Sequence, residues 1–232
     1  FLNLSFDEST RTWEGEVDTT EEGDYMVEFL ATDNSGNREE KIEWIRVSKI
    51  VYVSGETNLP LDMKFFKPMV NYLFKSFFAN GTYNESLRAG DYIVNLKVEN
   101  AEMRIENVSI YDSLIQPIEL DKVPLAAIQL PLTKVKLDSL AYRTNINFET
   151  LELTFDFSSQ VDKVKQIQDL RVYKCVNYSW DERKCLENFT ILMPSLDLTK
   201  FRASIRLNYS DPLIVLAESV VCGNGVCEDD YG

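Results

Sequence analysis

The tripeptide Gly-Asp-Tyr occurs twice, and each copy opens a segment in which apolar and polar residues alternate. The copies begin at Gly23 and Gly90 and end in Tyr25 and Tyr92. Alternation with a period of two predicts a half-buried β-strand. A turn glycine followed by an acidic residue and a strand-opening tyrosine is typical of a β-sandwich corner, where the tyrosine hydroxyl bonds back to the backbone. The two copies predict an all-β chain of tandem sandwich domains joined by short turns, with both tyrosines serving the fold and neither belonging to a site.

Later segments extend the same pattern. Residues 151–157 alternate strictly, residues 170–175 and 201–207 predict further strands, and residues 212–218 form an apolar final strand. Apolar residues three apart between Val161 and Leu170 predict a short amphipathic helix or turn. We expect the chain to turn at residues 80–82. We expect a run of aromatic side chains to fill a sandwich core, with a carbohydrate-binding platform as the alternative interpretation. These are Phe65, Phe66, Tyr72, Phe74, Phe77 and Phe78.

Composition excludes several function classes. The chain has no histidine, which removes Ser-His-Asp and Cys-His nucleophile systems and nearly all catalytic zinc sites. A formal net charge of −14 disfavours binding to nucleic acid and to anionic membranes. No run of 18 apolar residues is present, so we expect no membrane span in this segment. The chain shows no signal peptide and does not begin with Met, and we therefore expect it to be part of a longer protein.

Asn-x-Ser/Thr sequons are more frequent than chance predicts. With 16 Asn and 30 Ser or Thr among 232 residues, random placement gives 16 × 30/232, or about two, whereas seven occur. The excess predicts N-glycosylation and hence export. Concentration of these residue types in turns is the alternative explanation. The predicted sites are Asn3, Asn80, Asn84, Asn107, Asn177, Asn188 and Asn208.

The four cysteines fall into two close pairs. Cys175 pairs naturally with Cys185 around a hairpin, and Cys222 with Cys227. An even number of cysteines in short loops predicts disulfides in an oxidising compartment. Metal binding is the rival interpretation, but the spacings do not match the usual zinc pattern and no histidine accompanies them.

The first two parts of the chain carry family resemblances. The sequence from Thr12 to Val17, with residues 22–25 and the loop at residues 31–37, resembles the later strands of prokaryotic immunoglobulin-like repeats. Residues 1–48 are accordingly predicted to be a partial immunoglobulin-like β-domain. Residues 49–112, with an Ala-Gly-Asp-Tyr element before a strand pair, resemble a transthyretin-like or carboxypeptidase-regulatory-like β-sandwich.

The remainder carries two more resemblances. Residues 113–220 are predicted to be a C-terminal β-sandwich, and their Cys175 to Cys185 hairpin resembles a module of archaeal secreted and surface proteins. Residues 221–232 resemble the start of a Cys-rich repeat of extracellular proteins. These resemblances imply placement at a cell surface more than any chemistry.

No motif in the sequence marks an active or cofactor site. The oxygen-rich segments 33–37 and 228–230 offer calcium ligands, but the first lacks the bidentate glutamate of an EF-hand loop, and hairpin turns explain it. The many carboxylates do not single out a glycosidase pair. We therefore predict no catalytic residues, no metal and no cofactor.

The sequence leads to one main expectation and two alternatives. We expect a non-enzymatic, extracellular structural or stalk segment of a prokaryotic, archaeal surface protein, with a role in adhesion. Its expected partners are other surface proteins, glycans or further copies of itself. The alternatives are accessory β-domains of a secreted protease or glycosidase, and a carbohydrate-binding module that uses Trp13, Trp44 or Trp180. An upstream catalytic motif in the precursor would favour the first alternative.

Overall fold

The computed structural model describes residues 5–7, 12–14, 23–32, 35–69, 71–208 and 212–220. In this part of the chain the regular elements are β-strands and three short 3₁₀ turns, which confirms the predicted all-β class. The chain divides into two compact units, Phe1–Ile50 and Val51–Gly232. No helix among the described residues is long and apolar enough to cross a membrane.

The first unit contains two antiparallel ribbons. Strand β1 (Ser5–Asp7) pairs with β2 (Thr12–Glu14), and β3 (Gly23–Thr32) pairs with β4 (Arg38–Val47). The first Gly-Asp-Tyr copy opens β3, as predicted. Val27 is the one buried apolar side chain among those described in residues 23–50, because a two-stranded ribbon covers little of either face.

The second unit is built from two larger sheets. Its strands are β5 (Ile50–Lys67), β6 (Tyr72–Arg88), β7 (Gly90–Val98), β8 (Ala101–Ile110), β9 (Leu114–Ile115), β10 (Ile118–Asp121), β11 (Thr133–Thr144), β12 (Leu151–Asp156), β13 (Leu170–Cys175), β14 (Tyr178–Ser179), β15 (Lys184–Cys185), β16 (Thr190–Leu192), β17 (Ser195–Asp197), β18 (Arg202–Leu207) and β19 (Leu213–Ser219). One sheet has the order β17-β18-β12-β8-β7-β5-β6, with β9 parallel to β5. The other has the order β10-β11-β19-β13-β16. A small hairpin pairs β14 with β15.

The two large sheets form a β-sandwich around a common core. Alternation of side chains along each strand explains how one face of a sheet can fill this core. On β12, Leu151, Leu153 and Phe155 are fully buried, while the residues between them are partly exposed. Side chains from both sheets, such as Met103 on one and Leu140 on the other, belong to the same buried cluster. The predicted strand segments therefore supply the inner faces of one sandwich.

The second Gly-Asp-Tyr copy forms the predicted corner. Tyr92 opens β7, is fully buried, and donates its hydroxyl hydrogen bond to the backbone carbonyl of Arg88. Gly90 precedes it at φ +146°, and a Cβ there would lie 3.1 Å from Lys67 Nζ. A glycine is therefore required at this position.

The five-stranded sheet is buried on both faces. Ile214 and Leu216 of β19 point into the sandwich core, whereas Leu213, Val215 and Ala217 belong to a second cluster on the opposite face. The segment from Val123 to Leu130 and the disulfide hairpin cover that face. A strand covered on both sides needs an almost continuous apolar sequence, which is what the final strand has.

Two sequence expectations differ from the structure in detail. The chain does not turn at residues 80–82, since β6 continues through them with Gly81 at φ +101°. Tyr72 and Phe78 are 65 % and 66 % exposed, so they lie outside the aromatic core that was predicted to include them. Strand β9 still pairs with β5, so the chain passes from one sheet of the sandwich to the other between residues 115 and 118. Later strands return to the first sheet, since β12 pairs with β8.

Candidate functional site

The disulfide hairpin projects from the end of β13. Cys175 and Cys185 form the predicted disulfide, with a Cα–Cα distance of 5.9 Å. The crosslink holds the β14–β15 hairpin against the five-stranded sheet. Cys175 itself is fully buried in the second cluster, so the hairpin is anchored in an apolar environment. The residues between the two strands of the hairpin, 180–183, are thereby fixed in position.

Asp121 ties this hairpin to the end of β10. Arg183 donates to both carboxylate oxygens of Asp121, at 2.9 Å from Nε and 2.6 Å from the terminal nitrogen. The Tyr178 hydroxyl donates to the same carboxylate at 2.9 Å. Two-point guanidinium–carboxylate contacts fix orientation as well as distance. The partners are about 60 residues apart in sequence, so the arrangement exists only in the folded chain.

A cleft of about 520 Å³ opens beside this hairpin. Its lining residues come from the start of β5, from β10 and from the hairpin: Glu56, Thr57, Asn58, Gln116, Glu119, Leu120, Asp121, Trp180 and Arg183. The volume lies within the range of small-ligand pockets, which is about 300–1,000 Å³. The cleft therefore has the volume of a small-ligand site. Its volume alone does not define which ligand it suits.

Gln116 joins the two sides of the cleft. Its amide nitrogen donates to the backbone carbonyls of Glu56 and Ile118, each at 2.9 Å, and its amide oxygen accepts from the Glu56 N–H at 2.8 Å. All of these contacts are internal to the protein. Gln116 therefore shapes the cleft rather than offering itself to a ligand.

Trp180 supplies the flat apolar wall. Its ring makes an edge-to-face contact with Tyr178 at 5.4 Å, and the Arg143 guanidinium lies 5.1 Å from its centroid. Arg143 also pairs with Glu119 of the cleft. The indole N–H is buried and has no hydrogen-bond acceptor within the described part of the chain. An indole face next to polar groups can stack on a ring that carries hydroxyls.

Electrostatics in the cleft are largely balanced. Arginines neutralise Glu119 and Asp121, which leaves Glu56 as the additional charge on the rim. Burial raises the pKa of the Tyr178 hydroxyl far above its ordinary value, and the hydrogen bond to Asp121 raises it further. Tyr178 therefore stays protonated and acts as a hydrogen-bond donor. The arrangement suits stacking and hydrogen bonding, and it offers no nucleophile paired with a base.

The predicted glycosylation sites lie on the surface wherever they are described. Asparagines 80, 84, 107, 177, 188 and 208 are all exposed, which glycan attachment requires. The Asn177 amide donates to Glu187 at 3.1 Å. Asn3 lies outside the described residues.

The other predicted residues are scattered or lie outside the described part. Trp44 is 68 % exposed on β4, and Trp13 lies in β2. Cys222, Cys227 and the acidic segment 228–230 are outside the described residues, as are Asp33 and Asn34 of the other calcium candidate. Among the described residues, no group of three or more acidic or cysteine side chains is placed to hold a metal ion.

Most residues that build the cleft were missed by the sequence reasoning. Asp121 and Arg183 belong to no sequence motif. Only their contact in the folded chain shows that both help to build the cleft. Trp180 was predicted, together with Trp13 and Trp44, as a candidate carbohydrate-binding tryptophan.

Comparison of the chain with family models, with curated proteins and with solved structures finds no match.

Proposed function

We propose that this chain is an exported, non-enzymatic β-sandwich segment of a prokaryotic, archaeal cell-surface protein, with a structural and adhesive role. The observation that carries the proposal is the Cys175–Cys185 disulfide, which fixes a surface hairpin against the sheet. Stable disulfides of this kind belong to oxidising compartments. Exposure of all six described sequon asparagines agrees with an exported surface.

The resemblances named above refine this proposal. In it, the first unit corresponds to the later strands of an immunoglobulin-like repeat, the sandwich includes a transthyretin-like module, and residues 221–232 correspond to the start of a Cys-rich repeat. The two-stranded β3–β4 ribbon and the Tyr92 corner support the proposal, since both are parts that such domains contain.

Localisation in the organism that encodes the chain tests this function. Intact cells would be treated with an external protease, and the chain followed by antibody together with a thiol count on the denatured protein. We expect cleavage from outside and no reactive thiol at Cys175 or Cys185. A chain that is protected until lysis and carries reduced cysteines contradicts the proposal.

Carbohydrate binding at the Trp180 cleft is a second candidate function. It is favoured by one specific observation: the structure brings the indole face together with hydrogen-bonding side chains in a cleft of small-ligand size. The ligand class is a neutral sugar, because the arginines already neutralise two of the carboxylates in the cleft.

A glycan array tests the second candidate. The full chain would be compared with Trp180→Ala, and with Trp44→Ala as a control that removes another exposed indole. We expect binding that Trp180→Ala reduces at least tenfold and that Trp44→Ala leaves unchanged. Equal loss in both variants, or no binding by the unaltered chain, contradicts it.

A further inference from the structure

Phe78 is exposed although it lies within a long, regular strand. Its ring is 66 % exposed, whereas Ala79, Tyr83 and Leu87 of the same strand are buried. Because side chains alternate along a strand, residues 78, 80 and 82 share the outward face of β6. One exposed aromatic residue is ordinary on a protein surface. The residues beside Phe78 on that face distinguish it from an ordinary exposed aromatic residue.

The outward face next to Phe78 carries a glycosylation sequon. Asn80 and Thr82 are both exposed, and they follow Phe78 at offsets of two and four residues. Gly81 between them has φ +101°, and no heavy atom lies within 4 Å of the position that a Cβ would occupy. The sequon is therefore sterically open, and the aromatic ring lies beside its acceptor asparagine.

A cleft of about 520 Å³ adjoins the Phe78 ring. It is lined by Pro60, Asp62, Ser76, Phe77, Phe78, Lys97 and Glu99. The aromatic and proline rings provide apolar surface, and the charged groups provide hydrogen-bond donors and acceptors. A pyranose has matching surfaces, with an apolar face of C–H groups and a rim of hydroxyls.

We propose that Asn80 carries an N-linked glycan whose first sugar packs its apolar face on the Phe78 ring and reaches the adjoining cleft. The inference depends on the proposed export, which brings the chain to the glycosylation machinery. The sugar donor is a lipid-linked oligosaccharide phosphate, and the catalyst is a membrane-bound oligosaccharyltransferase. Asn80 Nδ2 forms a bond to the anomeric carbon, the carbon–oxygen bond to the phosphate breaks, the lipid phosphate leaves, and the amide proton passes to a base of the transferase.

The other described sequons lack this arrangement. The residue two positions before the asparagine is Thr82 for Asn84, Ile105 for Asn107, Cys175 for Asn177 and Arg206 for Asn208. At Asn188 the corresponding residue is Leu186, which is 52 % exposed but aliphatic. Leu186 and Asn188 therefore provide a control in which the exposed side chain at the same offset is aliphatic.

Site occupancy gives the first test. The full chain, Phe78→Ala and Leu186→Ala would be secreted from a host that performs N-glycosylation, and glycopeptides would be quantified by mass spectrometry. We expect Asn80 to be occupied, with occupancy falling at least twofold in Phe78→Ala, while Leu186→Ala leaves Asn188 unchanged. An unoccupied Asn80, or occupancy that is indifferent to Phe78, overturns the proposal.

Thermal unfolding gives the second test, through a cycle of Phe78→Ala, Asn80→Gln and the double variant. We expect Asn80→Gln to lower Tm by about 2–4 °C when Phe78 is present and to have no effect when it is Ala. Equal effects in both backgrounds contradict the stacking. Because the host imposes secretion, a negative result counts against this site and leaves the localisation test of the proposed function independent.

Discussion

The two Gly-Asp-Tyr copies share a sequence but occupy unlike surroundings. Tyr92 is fully buried, packs edge-to-face against Phe65 at 5.8 Å, and lies beneath the Lys67 ammonium at 3.8 Å. Tyr25 is only partly buried on a two-stranded ribbon. The tripeptide thus specifies where a strand opens. How deeply the tyrosine is buried depends on how many layers pack over that strand.

Removal of the two rings gives the largest expected contrast. We expect Tyr92→Ala to destabilise the second unit by about 3–5 kcal/mol, since it leaves a cavity in the core. Tyr25→Ala should cost about 1 kcal/mol, the typical effect of a mutation outside a packed core. Urea unfolding followed by circular dichroism measures both. Similar costs for the two variants would show that the corners are equivalent.

Loss of the disulfide should give the next largest change in the free energy of unfolding, and this change should be confined to the second unit. Replacing Cys175 and Cys185 together by Ser frees the hairpin, and we expect a loss of about 2–4 kcal/mol. Trp180 reports on this region and Trp44 on the β3–β4 ribbon, so single-tryptophan variants can separate the two by fluorescence. A matching shift at Trp44 would contradict an effect confined to the second unit.

Alkaline pH should weaken the sandwich through its buried tyrosines. Burial raises the pKa of Tyr83 and of Tyr92 to about 12, from an ordinary value of 10.0. The folded state binds these two protons more tightly than the unfolded state does. The free energy of unfolding that the two tyrosines contribute is therefore fully present below pH 10 and is lost as the pH rises to about 12. Absorbance at the phenolate band would be recorded with unfolding for the unaltered chain, Tyr83→Phe and Tyr92→Phe, because the band sums all 11 tyrosines. The difference between the unaltered chain and each variant should show that hydroxyl ionising as the fold is lost. A difference that titrates near pH 10 while the chain is still folded would contradict this.

Removal of the hydroxyl groups alone should give the smallest difference in stability between the two tyrosine positions. Tyr92→Phe removes the bond to the Arg88 carbonyl and should cost about 1 kcal/mol. Tyr25→Phe should cost less than Tyr92→Phe, because Tyr25 is only partly buried and water can replace the partner of its hydroxyl. The midpoints of chemical denaturation measure the difference between the two variants, provided that the dependence of the unfolding free energy on denaturant concentration is the same for both. An effect of Tyr25→Phe equal to that of Tyr92→Phe would restore the symmetry of the two corners.

Local pattern predicted the strands well, because alternation is a property of neighbouring residues. The segment at residues 151–157 and the final apolar strand were both placed within one or two residues of β12 and β19. Pattern also predicted the Tyr92 hydrogen bond and the disulfide. Each of these depends on partners no more than ten residues apart.

Sheet assignment and the Trp180 cleft depend on distant partners and could not be predicted in the same way. No local signal says that β12 pairs with β8, across residues that were assigned to different domains. The turn expected at Asn80 was wrong for a related reason, since β6 continues through residues 80–82 and its pairing with β5 is not visible in those residues alone. The Asp121–Arg183 contact similarly requires the hairpin to fold back over β10.

The position of β19 has a consequence for how the chain matures. This strand is the last one among the described residues, yet it lies between β11 and β13 and is buried along its whole length. During synthesis from the N-terminus, β11 and β13 lack their shared neighbour until residues 213–219 have been made. The five-stranded sheet therefore cannot close early, and pairing over such long sequence separations is slow. Late closure of this sheet is compatible with the export proposed above, because a chain must be unfolded to pass through a narrow translocation channel.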